Sequence, residues 1–319
     1  MRKATLLFNP NSGRRRTEAE LRRAIGILQS AGVRTELTVC RSSQEASDNA
    51  RCAVAAGSDT VLASGGDGTI HDIIQALAGT NVALGILPGG TANALAHDLG
   101  IPLRLSDAAR ALVNAELRRI PLGRIEYQAF SGQNTAHYFT VAAGIGVDAH
   151  LFYKLSGELK QRTGMAAYYL KAWQLWATHR MRRFDVEYSN GSGEKHRTNL
   201  TELLAVRIRF FGNVLRELVP GASLECPDLR AVMCHTDSRN AYLQYVTGAL
   251  LGWRRNIDGI ELINCSEIVC RVPEATDDRI YVEADGELLG RLPARMTVVP
   301  NALSLLAPVR GGQAAQSNC

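Results

Sequence analysis

Gly65-Gly66-Asp67-Gly68-Thr69 combines three glycines with one carboxylate in five residues. The β-branched and apolar run from Asp59 to Ser64 leads into it and reads as a buried parallel strand. The run that follows puts Ile70, Ile73, Ile74 and Leu77 on one helical face. Glycine lets the backbone turn tightly and approach a ligand, and a helix N-terminus presents unpaired N–H groups to an anion. The stretch therefore reads as a phosphate cradle. The plain alternative is a glycine-rich strand-to-helix turn that binds nothing, and a lone glycine pair would not separate the two. Two features favour phosphate. Asp67 is an anion in a loop suited to anions, which makes sense if a cation bridges it to phosphate. A second glycine-rich strand–loop–helix also follows about twenty residues later, as in a βαβ unit.

The elements that must hold this loop can be read around it. Residues 4–8 predict a first strand, ending in the turn Asn9-Pro10-Asn11-Ser12-Gly13. Thr17 with Glu20 is a capping box that opens a helix lined by Leu21, Ile25 and Leu28, with Gly32 as its stop. Residues 34–39 predict a second strand, and Ser42 with Glu45 opens a second helix ending near Gly57. Residues 82–87 predict another strand, leading into Pro88-Gly89-Gly90-Thr91-Ala92-Asn93 and a helix; a helix near 106–116 and a strand near 117–125 follow. Strand alternating with helix predicts a doubly wound, mostly parallel sheet, whose loops at the strand carboxyl ends gather in one crevice. The turns at Asn9, Gly65 and Pro88 should therefore converge.

Beyond about residue 125 the texture changes. Short strand-like runs dominate: Tyr138–Ala142, Leu203–Ile208, Ala231–Cys234, Ile268–Val272, Ile280–Ala284 and Met296–Val299. They predict an antiparallel β-sandwich, interrupted by one helix from about Gly164 to Arg183. The expected organisation is an α/β nucleotide-binding domain over 1–124, a β-sandwich over 125–310 with its C-terminal end able to pack back on the first domain, and a disordered tail over 311–319.

Composition excludes several classes. The 319 residues are 46% hydrophobic and 21% charged, which is globular rather than disordered. No apolar run approaches the roughly 20 residues that cross a bilayer, and Pro10 cuts short anything resembling a signal peptide. A cytoplasmic location is expected. The seven cysteines include no CxxC pair and are odd in number, so reduced thiols are expected rather than zinc or a disulfide framework. A net charge of +5 points to an anionic partner, a nucleotide phosphate or an anionic membrane surface. Nucleic acid is not expected, since no aromatic-basic reader motif is present. A helix through Tyr169, Trp173 and Trp176, with Arg182 and Arg183 beyond, either packs on the sandwich or docks at a membrane. His97, His179 and His235 have no ligand spacing and read as ordinary polar residues.

With these residues laid out, the chain resembles the diacylglycerol/sphingosine/YegS-like lipid kinase family. The resemblance rests on Asn9-Pro10-x-Ser12-Gly13, Gly65-Gly66-Asp67-Gly68-Thr69, Pro88-x-Gly90-Thr91-Ala92-Asn93, Gly144-x-Gly146-x-Asp148 and Asp285-Gly286-Glu287, in the family's order over nearly the whole length. It implies a nucleotide-binding domain followed by a β-sandwich, an active site in the cleft between them, ATP and Mg2+ as cofactors, and a lipid alcohol as substrate at a peripheral membrane surface. It implies that Asn9, Pro10, Asn11, Ser12, Gly13, Gly65, Gly66, Asp67, Gly68, Thr69, Ile70, His71, Asp72, Gly90, Thr91 and Asn93 line ATP. Asp67 would reach the metal indirectly, through water, and join Asp285 and Glu287 as a catalytic residue; one of the last two would be the general base. Gly144 to Asp148 would shape the cleft wall. Phosphoryl transfer needs neutralised phosphates, in-line placement and a carboxylate for the alcohol proton, which this division supplies. On local sequence alone Asp285-Gly286 is a type I′ hairpin signal; the upstream cradle reverses that preference toward the acidic pair, which on an extended strand would face the same way.

The chain departs from the family pattern at Ala94 and Pro121, which remove two carboxylates around Asp67. Cys40 falls near a nucleotide-contacting Thr, and Cys226-Pro227 replaces an Asp-Gly that would carry a structural metal. These changes point away from diacylglycerol as the acceptor and leave the phosphate loops intact. The expected activity is ATP-dependent transfer to a lipid hydroxyl: diacylglycerol, a long-chain base or a related glycerolipid. NAD kinase, which shares the Gly-Gly-Asp-Gly-Thr cradle, and a non-catalytic nucleotide- or lipid-binding relative are the alternatives. The sequence leaves the oligomeric state open, a homodimer included.

Overall fold

Four short apolar runs near the N-terminus become parallel strands. The computed structural model describes residues 1–12, 18–146, 181–191, 193–210, 219–251, 256–273 and 279–309, and its chain divides into two units. The first contains β1 (Lys3–Phe8), α1 (Glu18–Ser30), β2 (Arg34–Val39), α2 (Ser43–Ala55), β3 (Thr60–Gly65), α3 (Asp67–Leu77), β4 (Ala83–Pro88), α4 (Ala94–Asp98) and α5 (Leu105–Val113). Its last strand comes from the C-terminal half of a long strand, β15 (Glu287–Ala307), where Ser304 and Leu305 pair parallel with Ala83 and Leu84. The order is β2-β1-β3-β4-β15. Every position of β3 and β4 is buried, as strands covered on both faces require, while edge strand β2 carries exposed Arg34 and Glu36. The chain order reverses between β1 and β3, the kind of switch point where such sheets bind ligands.

Local signals explain the ends of these elements. Ser42 Oγ accepts the Glu45 N–H at 3.2 Å, the cap expected for α2. Gly32 follows α1 at φ 82°. Leu21, Ala24 and Leu28 of α1 are buried and Ile25 is half-buried. Thr17 and Gly13 lie outside the described residues.

The second unit is antiparallel. Its strands include β6 (Asn134–Phe139), β7 (Ala142–Ile145), β8 (Phe184–Ser189), β9 (Lys195–Leu200), β10 (Glu202–Val206), β11 (Leu229–Cys234), β12 (Ile260–Cys265), β13 (Glu267–Arg271) and β14 (Tyr281–Ala284). A further strand, β5 (Glu116–Ala129), pairs with β6 through its residues 123–128. One series runs β12-β11-β10-β7-β14 and on to the first half of β15; β13 links β15 to the β8–β9 hairpin. The core contains Ile125, Phe139, Ile145, Phe184, Leu203, Met233, Ile268 and Met296.

Three expectations need correction. The run Tyr138–Ala142 is not one strand: it breaks at Thr140 and Val141, whose N–H groups turn to a carboxylate instead of a ladder. A helix, α6 (Arg239–Leu251), occupies a stretch in which none was foreseen, although Ser238 just before it accepts the Ala241 N–H at 3.4 Å as a cap does. Five described cysteines are free, but Cys226 is disulfide-bonded, so the chain is not wholly reduced. The expected helix at 164–183, with Tyr169, Trp173 and Trp176, falls outside the described residues except for 181–183. Among the described residues no helix is long and apolar enough to cross a membrane.

Candidate active site

The three turns of the first unit meet. Asn9 leaves β1 with its N–H on the Ser64 carbonyl at 2.9 Å, and its side-chain amide donates to Thr69 Oγ1 at 2.9 Å. Its Oδ1 accepts the Asn11 N–H at 2.9 Å, an Asx turn that folds Pro10 and Asn11 outward. Gly89 donates to the Gly65 carbonyl at 2.8 Å, and the loops press backbone to backbone. A Cβ on Gly90 would fall 2.7 Å from Gly66 Cα, and one on Gly89 would fall 3.0 Å from Gly65 Cα. These glycines are thus needed for the meeting of two loops as much as for any ligand.

Asp67 is the first residue of α3, so its charge suits the helix N-terminus; Asp72 lies in the second turn. The Asp67 carboxylate reaches across to the third turn, where it accepts the N–H of Asn93 at 2.9 Å and of Ala94 at 2.8 Å. Asn93 is 3% exposed and left-handed at φ 48°, a conformation Asn tolerates. Its side chain exchanges hydrogen bonds with the Gly90 N–H and carbonyl at 2.8 and 2.9 Å. Asn93 therefore shapes its loop, and Asp67 fastens that loop to α3. The departure at Ala94 leaves untouched the backbone N–H that Asp67 uses. The N-cap of α3 is Gly66, which has no side chain with which to accept the first helical N–H groups.

The remaining residues expected around ATP divide by exposure. Pro10, Asn11 and Thr91 are exposed; Ser12, Gly66, Gly68 and Gly90 are half-buried; Gly65, Thr69 and His71 are buried. Ile70 points its side chain into the core. Asp72 accepts the Ser43 hydroxyl at 2.6 Å, and burial pushes its carboxyl above the usual range. Cys40 is buried beside Asn49, whose amide donates to its sulfur at 3.4 Å.

In the second unit, Asp285 and Gly286 join β14 to β15 at φ 50° and 84°, the two left-handed residues of a type I′ hairpin. The preference for an extended acidic pair is therefore corrected: the local Asp-Gly turn signal prevails, and Asp285 does not lie on an extended strand with Glu287. The Asp285 carboxylate accepts four hydrogen bonds: the Thr140 N–H and Oγ1 at 3.0 and 3.2 Å, the Val141 N–H at 2.8 Å and the Ala142 N–H at 3.1 Å. Glu287, first residue of β15, is exposed.

Two buried carboxylates escaped the sequence reading. Glu283 pairs opposite Gly144, and Glu202 lies against Gly146, where a Cβ would fall 2.5 Å from its Oε2. Asp148 is outside the described residues. Arg207 is a third surprise. It is 1% exposed and donates to the carbonyls of Leu224, Cys226 and Asp228 at 2.9, 2.9 and 3.1 Å. Around the Cys226-Pro227 departure, a guanidinium ties the loop together, and burial lowers its pKa to about 10.

Residues 3–125 match the diacylglycerol kinase catalytic domain, and residues 109–307 match the YegS C-terminal NAD kinase beta sandwich-like domain. The chain is similar to a diacylglycerol kinase of Bacillus subtilis, with 26% identity over 311 residues and 97% of each chain covered. It is 29% identical to a diacylglycerol kinase of Mycobacterium tuberculosis over 317 residues, 97% of this chain and 96% of that one. The crystal structure of a diacylglycerol kinase from Bacillus anthracis aligns with a TM-score of 0.70 at 17% identity over 97% of both chains, a likeness of fold.

Proposed function

We propose, for a chain that belongs to the diacylglycerol kinase and YegS-like lipid kinase family and is a phosphotransferase with an alcohol acceptor, that it moves the γ-phosphoryl group of ATP to the hydroxyl of a membrane lipid alcohol. The observation that carries the reading is the interlock of three turns beside the N-terminus of α3, whose N-cap is a glycine. Exposed backbone amides and a helix N-terminus favour polyphosphate. Asn9 to Ser12, Gly66 to Thr69, and Gly90 with Thr91 are the residues assigned to it.

Asp67 is the one carboxylate within the turns 9–12, 65–69 and 88–93. An anionic oxygen donor that already accepts the Asn93 and Ala94 N–H groups suits a metal held indirectly, through water. Magnesium bound there would neutralise charge on the phosphate oxygens. The acidic pair of the second unit divides its work. Asp285, engaged by four donors, anchors the hairpin. Glu287 is assigned as the general base: it takes the proton of the lipid hydroxyl as that oxygen bonds to the γ-phosphorus and ADP leaves. The positive charge of the chain suits work at an anionic membrane surface.

Incubation with labelled ATP and vesicles carrying diacylglycerol, a long-chain base or a monoacylated glycerolipid tests this. Labelled phospholipid is the expected product. A second reading, a non-catalytic binder, is favoured by the saturated Asp285 carboxylate; it predicts ATP binding without turnover on any acceptor. Label appearing on NAD instead of lipid would replace both readings.

A further inference from the structure

Glu283 is 4% exposed, in a strand whose neighbouring residues Val282 and Ala284 belong to the core. A carboxylate withdrawn from water is costly unless its oxygens are held. Its Oε2 accepts the N–H of Gly286 at 3.0 Å. Its Oε1 lies over β7, in space that exists because residue 144 has no side chain: a Cβ there would fall 2.8 Å away. Glu283 and Gly144 are direct partners in the β7–β14 ladder, so the glycine makes the room that the glutamate fills.

Gly286 is the residue between Asp285 and Glu287. Asp285 is fastened to 140–142 by its carboxylate and by its own N–H on the Ala142 carbonyl at 2.8 Å. Glu283 fastens the other half of the turn. The register between β14 and β15 also shifts next to Glu283, an irregularity of the kind that re-aims side chains. The geometry points to Glu283 as a positioning residue that fixes the Asp285–Gly286 turn and so sets the direction in which Glu287 presents its carboxylate; this rests on the proposed role of Glu287. It also gives Gly144 a reason: an alanine there collides with the brace.

A turn brace that served stability alone would lower the melting temperature when removed and leave kcat and its pH profile alone. The test uses the full chain, with kcat, KM for ATP, the pH profile of kcat and thermal unfolding read for Glu283→Leu, Glu283→Gln, Gly144→Ala and Glu287→Gln. Glu283→Leu keeps the buried volume apolar and is expected to melt no lower than wild type. Its kcat should fall about tenfold or more, since small misplacements of a reacting group cost that much, and its pH profile should move. KM for ATP should stay within about twofold. Glu283→Gln retains an oxygen for the Gly286 N–H and should recover most of kcat. Gly144→Ala should reproduce the loss with Glu283 intact. A folded Glu283→Leu with wild-type kcat and pH profile overturns the inference, while loss of activity in Glu287→Gln keeps the reading beneath it. Wild-type activity in Glu287→Gln removes that reading itself. If Glu283→Leu fails to fold, Gly144→Ala decides: unchanged kcat overturns, reduced kcat supports.

Discussion

Gly90→Ala adds one methyl group where two loops touch. The new Cβ would lie 2.7 Å from Gly66 Cα and 3.1 Å from Asn93 Oδ1. Carbon atoms pack at about 3.5–4.0 Å, so the Gly65–Thr69 and Pro88–Asn93 turns must part by about 1 Å. Gly90 has no positive φ, so the substitution adds no backbone strain of its own. Overpacking of this size costs about 1–3 kcal/mol of stability. The functional cost should be larger in proportion, because a displacement of about 1 Å in groups that position a substrate can cost on the order of 100-fold. Titration of ATP by calorimetry, steady-state transfer to lipid, and denaturant unfolding read the three effects. Gly26→Ala is the control: it sits in α1 with nothing within 4 Å of its Cβ, and should add roughly 0.5–1 kcal/mol without changing ATP affinity. Wild-type ATP affinity and kcat in a folded Gly90→Ala protein would refute the assignment of these turns to the nucleotide.

Two other perturbations probe the same account. Arg207→Met removes the donor of three carbonyls, Leu224, Cys226 and Asp228; at about 1–3 kcal/mol for each orphaned acceptor, less than additively, it should destabilise by about 3–5 kcal/mol in denaturant melts. A loss under about 1 kcal/mol would mean the loop finds other donors. Asp72 has its carboxyl raised by burial, so the folded state holds its proton more tightly than the unfolded chain does. Its protonated form stabilises the fold at low pH, and that contribution is lost as pH rises from the ordinary carboxylate value of 3.8 through the raised one. Asp72→Asn should therefore match wild type in melting temperature at the acid end of that window and exceed it at pH 7; a constant difference would show no linkage.

Much of this was legible in the sequence because it depends on local chemistry. The Ser42–Glu45 pair caps its helix, Gly32 ends another, and the Asp285-Gly286 pair turns a hairpin as that dipeptide does. Convergence of the turns at Asn9, Gly65 and Pro88 followed from strand–helix alternation, since parallel strands bring their carboxyl ends together. What stayed hidden depends on pairings distant in sequence. Asp67 finds its donors 26 and 27 residues away. Glu283 looks like an outward strand residue until the ladder sets it opposite a glycine. Arg207 reads as a surface cation, and only the fold brings it to the carbonyls of a loop 17 to 21 residues later.

The most direct measurement is the rate at which labelled γ-phosphate reaches the hydroxyl of a lipid in anionic vesicles, compared between wild type and Glu287→Gln with ATP binding followed in parallel. The account predicts labelled lipid from wild type, a rate lowered by about 100-fold or more in the variant, and ATP affinity unchanged. Labelled lipid formed equally fast by both proteins, or by neither while ATP is bound, would contradict it.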